Sequence, residues 1–243
     1  MAMARYTYQI IKRSVGKALH HYKMISDGEK IAVGLSGGKD SLTLMWILTE
    51  RLARIPISYE LFAIYIDPGF EGNFVKPLRD YCRKMNYSLH VERTDFGIKA
   101  HSSENRENPC FLCSMLRRKR MFEIADELGC TKLALGHHKD DIIETLFMNM
   151  CYAGEISTMV PVQPLFGGEL TIIRPLSYVD EDTICRFARH KGFPEFTNPC
   201  PSAKNSSRHK IKNTLHSLYQ SNKKIKGNIF KSLSRVKPDY LLK

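Results

Sequence analysis

An apolar run from Ile31 to Leu35 stops abruptly at Ser36-Gly37-Gly38-Lys39-Asp40-Ser41, and Leu42, Leu44, Met45, Ile47 and Leu48 then recur at helical spacing. A buried strand that ends in two glycines and resumes as a helix is compatible with few folds. Glycine admits positive φ and close backbone approach, so N–H groups of such a loop can turn toward one point. The following helix contributes the positive end of its dipole. Ser36 and Ser41 contribute hydroxyls and Lys39 a charge. The ligand that fits is phosphate or pyrophosphate. Neither G-x-x-x-x-G-K-S/T nor G-x-G-x-x-G occurs, so this is neither a Walker loop nor a dinucleotide fingerprint. A plain strand-to-helix turn accounts for the glycines but not for Lys39 beside two hydroxyls.

The same alternation continues along the chain. Periodicity and turn residues predict strands over 31–35, 59–67, 88–94, 132–137 and 170–176. Helices are predicted over 4–25, 41–53, 74–86, 112–128, 140–152 and 180–191, with 97–109 a loop and basic helices after 196. Strands alternating with helices predict an α/β fold, a doubly wound parallel sheet. An N-terminal helix (1–27) would precede the main domain (28–195), and a basic helical appendage (196–243) would follow it. Ligands of such sheets bind beyond the carboxyl ends of the strands. Ser36–Ser41, Asp67 and Gly136–Asp141 fall there. Asp67 also reads as a strand-end turn residue before Pro68-Gly69. Asp140 and Asp141 open a helix, where carboxylates are favourable on dipole grounds alone.

The charge is uneven. Residues 196–243 hold eleven Lys and Arg against Asp239 alone, most of the formal net charge of +12. Such a block points to a polyanion, nucleic acid first. Arg117, Arg118, Lys119 and Arg120 form a second basic run, of which only two side chains can share a helix face. No apolar run reaches the length of a membrane span, and the N-terminus lacks the apolar core of a secretory signal. Seven cysteines then belong in a reducing, cytoplasmic setting, where metal, cluster or redox chemistry outranks disulfides. Cys82, Cys130, Cys151 and Cys185 sit among apolar residues and read as packing thiols. Cys110, Cys113 and Cys200 remain, each in or beside an Asn-Pro-Cys context. Three thiolates suit a 4Fe-4S cluster with one open iron, and four ligands, His209 completing the set, would suit zinc.

"SGGKDS" resembles the pyrophosphate loop of the N-type ATP pyrophosphatases, which cleave ATP between its α- and β-phosphates. "CFLCSMLRR", "LALGHHKDDIIETLFMNM", "IRPLSYV" and the later Cys200 extend the likeness over nearly the whole chain. Together they resemble the tRNA 2-thiocytidine synthetases, within the PP-loop superfamily of iron–sulfur-dependent tRNA thiolases. The resemblance implies ATP held by Ser36, Gly37, Gly38, Lys39, Asp40, Ser41, Asp67, Gly136, His137 and Asp141. It implies Mg²⁺ on Asp40 and Asp141, and a 4Fe-4S cluster on Cys110, Cys113 and Cys200. Lys39 and Asp40 join the three cysteines as the residues expected to serve the chemistry.

The implied reaction adenylates the carbon-2 oxygen of a pyrimidine, cytidine at position 32 of tRNA first. Sulfur then replaces that oxygen, supplied as sulfide or by a cysteine desulfurase. A lysidine-type tRNA ligase, a persulfide-dependent thiolase without a cluster, and a non-catalytic iron–sulfur RNA-binding module are the alternatives. A homodimer is expected because the N-terminal helix has an apolar side with no evident partner in the sheet. No membrane partner is expected.

Overall fold

A computed structural model describes residues 2–197, 199–202 and 207–241. Lys204 and Lys243 of the basic segment lie outside the described residues. Helix α1 (Ala2–His21) leads into β1 (Glu29–Gly34), α2 (Lys39–Leu52), β2 (Tyr59–Asp67), α3 (Val75–Lys84) and β3 (Ser88–Arg93). A short α4 (Phe96–Ala100), α5 (Pro109–Glu127), β4 (Lys132–Ala134) and α6 (Lys139–Met148) follow. Then come β5 (Val162–Leu165), β6 (Leu170–Ile173), α7 (Glu181–Lys191), α8 (Ser207–Ser221) and α9 (Ile225–Ser232). The chain divides into two compact units: residues 1–138 with 161–203, and residues 139–160 with 204–243.

The first unit is built on a six-stranded sheet of order β3-β2-β1-β4-β6-β5. Every pair is parallel except β5 with β6. The sequence predicts no strand at β5. This edge strand pairs on one side only, and Pro164 within it has no N–H to give, so it carries neither a long apolar run nor clean alternation. β1 pairs with β2 on one side and β4 on the other. The strand order therefore reverses at β1, and a crevice opens at the carboxyl ends of β1 and β4.

Successive residues of β1 feed opposite faces, as a period of two requires. Ile31 and Val33 join Leu42, Leu48 and Phe187 in the core on one face, and Ala32 joins Ile64, Ile124 and Leu133 on the other. On the first face lies the apolar side of α1. Ile11, Val15, Ala18 and Leu19 are at most 5% exposed and share a cluster with Ile184 and Phe187 of α7. That side of α1 has its partner within the chain, so it supplies no ground for a homodimer. Ile11, Val15 and Leu19, buried in this way, each contribute about 1.5–3 kcal/mol.

The second unit has its own small core. Ile143 of α6 packs with Ile211 and Leu215 of α8, flanked by Phe147, Tyr219 and Phe230. Asp140, at the start of α6, lies 2.5 Å from the Lys226 ammonium of α9. Arg208 of α8 reaches Asp141 at 3.5 Å and Glu144 at 3.9 Å. Among the described residues no helix is long and apolar enough to cross a membrane.

Two of the four cysteines read as packing residues are buried, Cys82 and Cys130. Cys151 is exposed, on a single π-turn over Asn149–Ala153, and Cys185 is only half-buried. Apolar neighbours in sequence do not set the face on which a helical residue falls.

Candidate active site

The loop between β1 and α2 closes on itself through its hydroxyls. The Ser36 N–H and Oγ–H both donate to Ser41 Oγ, at 3.1 and 3.2 Å. Ser41 in turn donates to the Gly38 carbonyl at 2.9 Å, and the Gly38 N–H reaches Ser36 Oγ at 3.3 Å. The first N–H groups of α2 find no carbonyl within their own helix and point out of its N-terminus. Gly37 has φ +79°, and a Cβ there would stand 2.7 Å from the Phe74 ring. Phe74 and Phe196 stack with centroids 4.8 Å apart, both against Gly37. Gly136, after β4, is needed for a second close approach: a Cβ there would lie 3.0 Å from the Ser41 nitrogen. The backbone it admits is that of the loop helix.

Lys39 lies between two carboxylates, 3.2 Å from Asp40 and 3.2 Å from Glu181 at the start of α7. Burial pulls the Lys39 pKa down, but Asp40, Glu181 and Cys185 outweigh it, and the ammonium is held above its ordinary value. A cavity of about 390 Å³ opens here, lined by Gly37, Gly38, Lys39, Cys185 and Arg189 among others. Asp40 Oδ1 is buried with no hydrogen bond, and Nε2 of the buried His138 ring lies 3.8 Å from it. His137 is half-buried beside it. Asp67 is buried at the end of β2, where its carboxylate accepts the Gly69 N–H at 3.1 Å. Asp141 belongs to the second unit, paired with Arg208.

The thiols gather at the start of α5. Asn108 caps this helix, its side-chain oxygen accepting the N–H groups of Cys110 and Phe111 at 3.0 and 3.3 Å, with Pro109 opening the first turn. Cys113 follows three residues later on the same face. Ser202 Oγ stands 3.5 Å from Cys110 Sγ and 3.5 Å from Cys200 Sγ. His101 anchors that hydroxyl: its Nδ1–H donates to the Gly97 carbonyl at 2.8 Å, which leaves Nε2 to accept from Ser202 at 2.7 Å. Burial raises the Cys113 pKa, Arg117 opposes that, and the Cys200 and Cys110 thiols raise it further. Cys200, far along the chain, thus comes to the same place as Cys110 and Cys113 of α5.

Among the described residues no three His, Cys, Asp or Glu stand close enough to share a single ion. Cys110 and Cys200, each 3.5 Å from Ser202 Oγ, with Cys113 one helical turn from Cys110, are a thiol donor set of the kind that suits a cluster, whose ligands are spread over several irons. His209 lies on α8 in the second unit, 3.3 Å from Asn213. Of the basic run after the cysteines, Arg120 is spent on Glu92, Glu127 and Glu123, at 2.8, 2.8 and 3.1 Å. It is not available to an RNA phosphate.

The PP-loop domain model matches residues 7–218. A tRNA-cytidine(32) 2-sulfurtransferase of Geobacter sulfurreducens is 39% identical over 97% of this chain and 93% of its own length. Its counterpart in Geotalea uraniireducens is 38% identical over 96% and 93%. The chain belongs to the tRNA-cytidine(32) 2-sulfurtransferase family of PP-loop proteins. Among solved structures it is similar to the U34-tRNA thiolase NcsA of Methanococcus maripaludis, determined with its 4Fe-4S cluster. The TM-score is 0.80 at 25% identity, over 98% of this chain and 81% of that one. An NH3-dependent NAD synthetase of Campylobacter jejuni shares the fold alone, with TM-score 0.55 and 14% identity.

Sequence reasoning missed Glu181, Ser202 and His101, and the Phe74–Phe196 pair. Each acts on a partner far along the chain. Only Glu181 carried a local signal, as an acidic residue in the first turn of a helix.

Proposed function

We propose that this chain thiolates tRNA, using ATP to activate the carbon-2 oxygen of cytidine at position 32. That oxygen attacks the α-phosphorus of ATP, and the bond to the β-phosphate breaks and releases pyrophosphate. Sulfide then adds at carbon 2, and AMP departs with the original oxygen. No electron is gained or lost overall.

The Ser36–Ser41 loop and the α2 N-terminus bind the phosphates. Lys39 neutralises the charge that builds on pyrophosphate. Asp40 would hold Mg²⁺, and its buried, unbonded oxygen is the kind of donor that ion takes. Asp67 sits where such sheets receive adenosine, and Gly136 and His137 line the same crevice edge. Cys110, Cys113 and Cys200 would hold a 4Fe-4S cluster, which supplies one iron free of protein ligands for inorganic sulfide. Ser202 and His101 order two of those thiols. The basic segment from 196 onward attracts tRNA phosphates, in a cytoplasmic setting.

The observation that carries this reading is the meeting of Cys200 with Cys110 and Cys113 in the unit that also holds the Ser36–Ser41 loop. The test is anaerobic purification with iron and sulfide analysis, followed by thiolation of tRNA with ATP and sulfide. Cys200→Ala should lose iron and thiolation but keep ATP binding. Full thiolation by that variant would sink the cluster role. Zinc or no metal in the unaltered protein would move the sulfur chemistry to a cysteine persulfide or the reaction to an amine-transferring ligase.

A further inference from the structure

A second cleft, away from both the loop and the thiols, lies where α1, α2 and α7 meet. It encloses about 430 Å³ and is lined by Arg5, Tyr8, Trp46, Arg54, His190 and Lys191, with Glu50 and Phe187 beneath. Helix α1 carries Arg5, Lys12, Arg13 and Lys17 and no acidic residue. Arg5 and Lys12 fall on the same stripe as Tyr8. The acid in the lining, Glu50, is already engaged: the Tyr8 hydroxyl donates to it at 2.6 Å and Arg54 pairs with it. Among the described residues no ion pair engages Arg5, Lys12 or Lys191.

Aromatic rings, not carboxylates, hold Lys191 and Lys12 in place, while Arg54 is shared between Tyr8 and Glu50. The Lys191 ammonium sits 3.9 Å from the Trp46 centroid, and the Lys12 ammonium 6.0 Å from that of Tyr8. Trp46 is braced edge-on by Tyr8 at 5.8 Å and Phe187 at 5.2 Å. A carboxylate would fix a cation and cancel it. An aromatic face fixes it and leaves the charge directed outward. Exposed, pre-positioned and uncancelled positive charge is what a phosphodiester backbone requires.

We propose that this α1–α2–α7 cleft is a docking site for the phosphate backbone of the tRNA substrate, separate from the basic segment after 196. The proposal rests on tRNA being the substrate. It assigns Arg5, Lys12 and Lys191 to positioning the RNA rather than to the chemistry.

The cleft contains its own reporter, because Trp46 is the sole tryptophan of the chain. Binding of labelled tRNA would be followed by anisotropy over a range of KCl, in parallel with Trp46 emission. The expected result is a change in Trp46 emission with the same midpoint as the anisotropy. Arg5→Gln with Lys191→Gln should weaken binding roughly tenfold and reduce the log–log salt slope by about 1.4–1.8, two phosphate contacts' worth. No tRNA binding by the unaltered chain would overturn the tRNA reading and the proposal with it. Binding with unchanged Trp46 emission and an unchanged slope would overturn the cleft alone. Saturation of the Trp46 change by polyglutamate at lower concentration than tRNA would give the cleft to an acidic protein and overturn the proposal.

Discussion

The Lys39 ammonium lies 3.2 Å from the Glu181 carboxylate, a residue 142 positions downstream. This pair ties the first turn of the loop helix to the first turn of α7. It keeps the loop's cation at the edge of the cavity, where pyrophosphate would exchange for one of its two carboxylates.

Lys39→Ala should therefore damage catalysis far more than folding. The pair is partly exposed, so the stability change should stay under about 1 kcal/mol in a urea melt. Loss of one donor to the developing charge should slow tRNA-dependent AMP formation about 100- to 1000-fold. A variant with near-normal AMP formation would remove Lys39 from the mechanism.

Gly136→Ala should do the reverse of a silent substitution. Its Cβ would press on the Ser41 nitrogen at 3.0 Å and the Asp40 carbonyl carbon at 3.1 Å, both backbone atoms. Overpacking of this kind costs about 1–3 kcal/mol. It should also displace the first turn of α2 and weaken ATP binding, measurable by calorimetry. Unchanged stability and ATP affinity would show that the contact relaxes freely.

Two buried thiols should make the fold sensitive to alkali. Burial raises Cys82 and Cys130 from 9.0 to about 11. Between those values the unfolded chain loses the thiol protons and the native state keeps them. Stability is therefore complete below about pH 9 and falls as pH rises toward 11. Cys82→Ser with Cys130→Ser should flatten that part of the denaturation profile. Alkylation at neutral pH should label exposed Cys151 quickly, and Cys82 and Cys130 only after unfolding.

Lys226→Ala tests the small unit. Asp140 is 9% exposed and would lose a cation 2.5 Å away. Removing one partner of a largely buried pair should cost about 3–5 kcal/mol locally. Amide exchange should accelerate in α6 and α9 while β1 and β4 keep their protection. Uniform loss across the chain would mean that the two units unfold together.

The loop and the alternation of strands and helices were legible in the sequence, and so was the separation of Cys110, Cys113 and Cys200 from the buried thiols Cys82 and Cys130. Period-two and period-3.6 patterns record which side of each element faces the core, and a glycine pair after a strand records a backbone need. The antiparallel edge strand β5 was not legible, because a strand paired on one side with a proline in it leaves little pattern. Cys185 was misread because its neighbours are apolar, although its own side chain lies beside Lys39.

By itself the sequence determined the local elements, the phosphate-binding turn and the residue types available for thiol chemistry. These depend on contacts within a few positions, where spacing dictates geometry. Tertiary structure alone decided that Glu181 would meet Lys39, that Ser202 would stand between Cys110 and Cys200, and that α1 would spend its apolar face on α7. It also decided that α6 would fold with the C-terminal helices. Such pairings depend on how separate elements close over a shared core, and no local spacing encodes which distant segment will arrive.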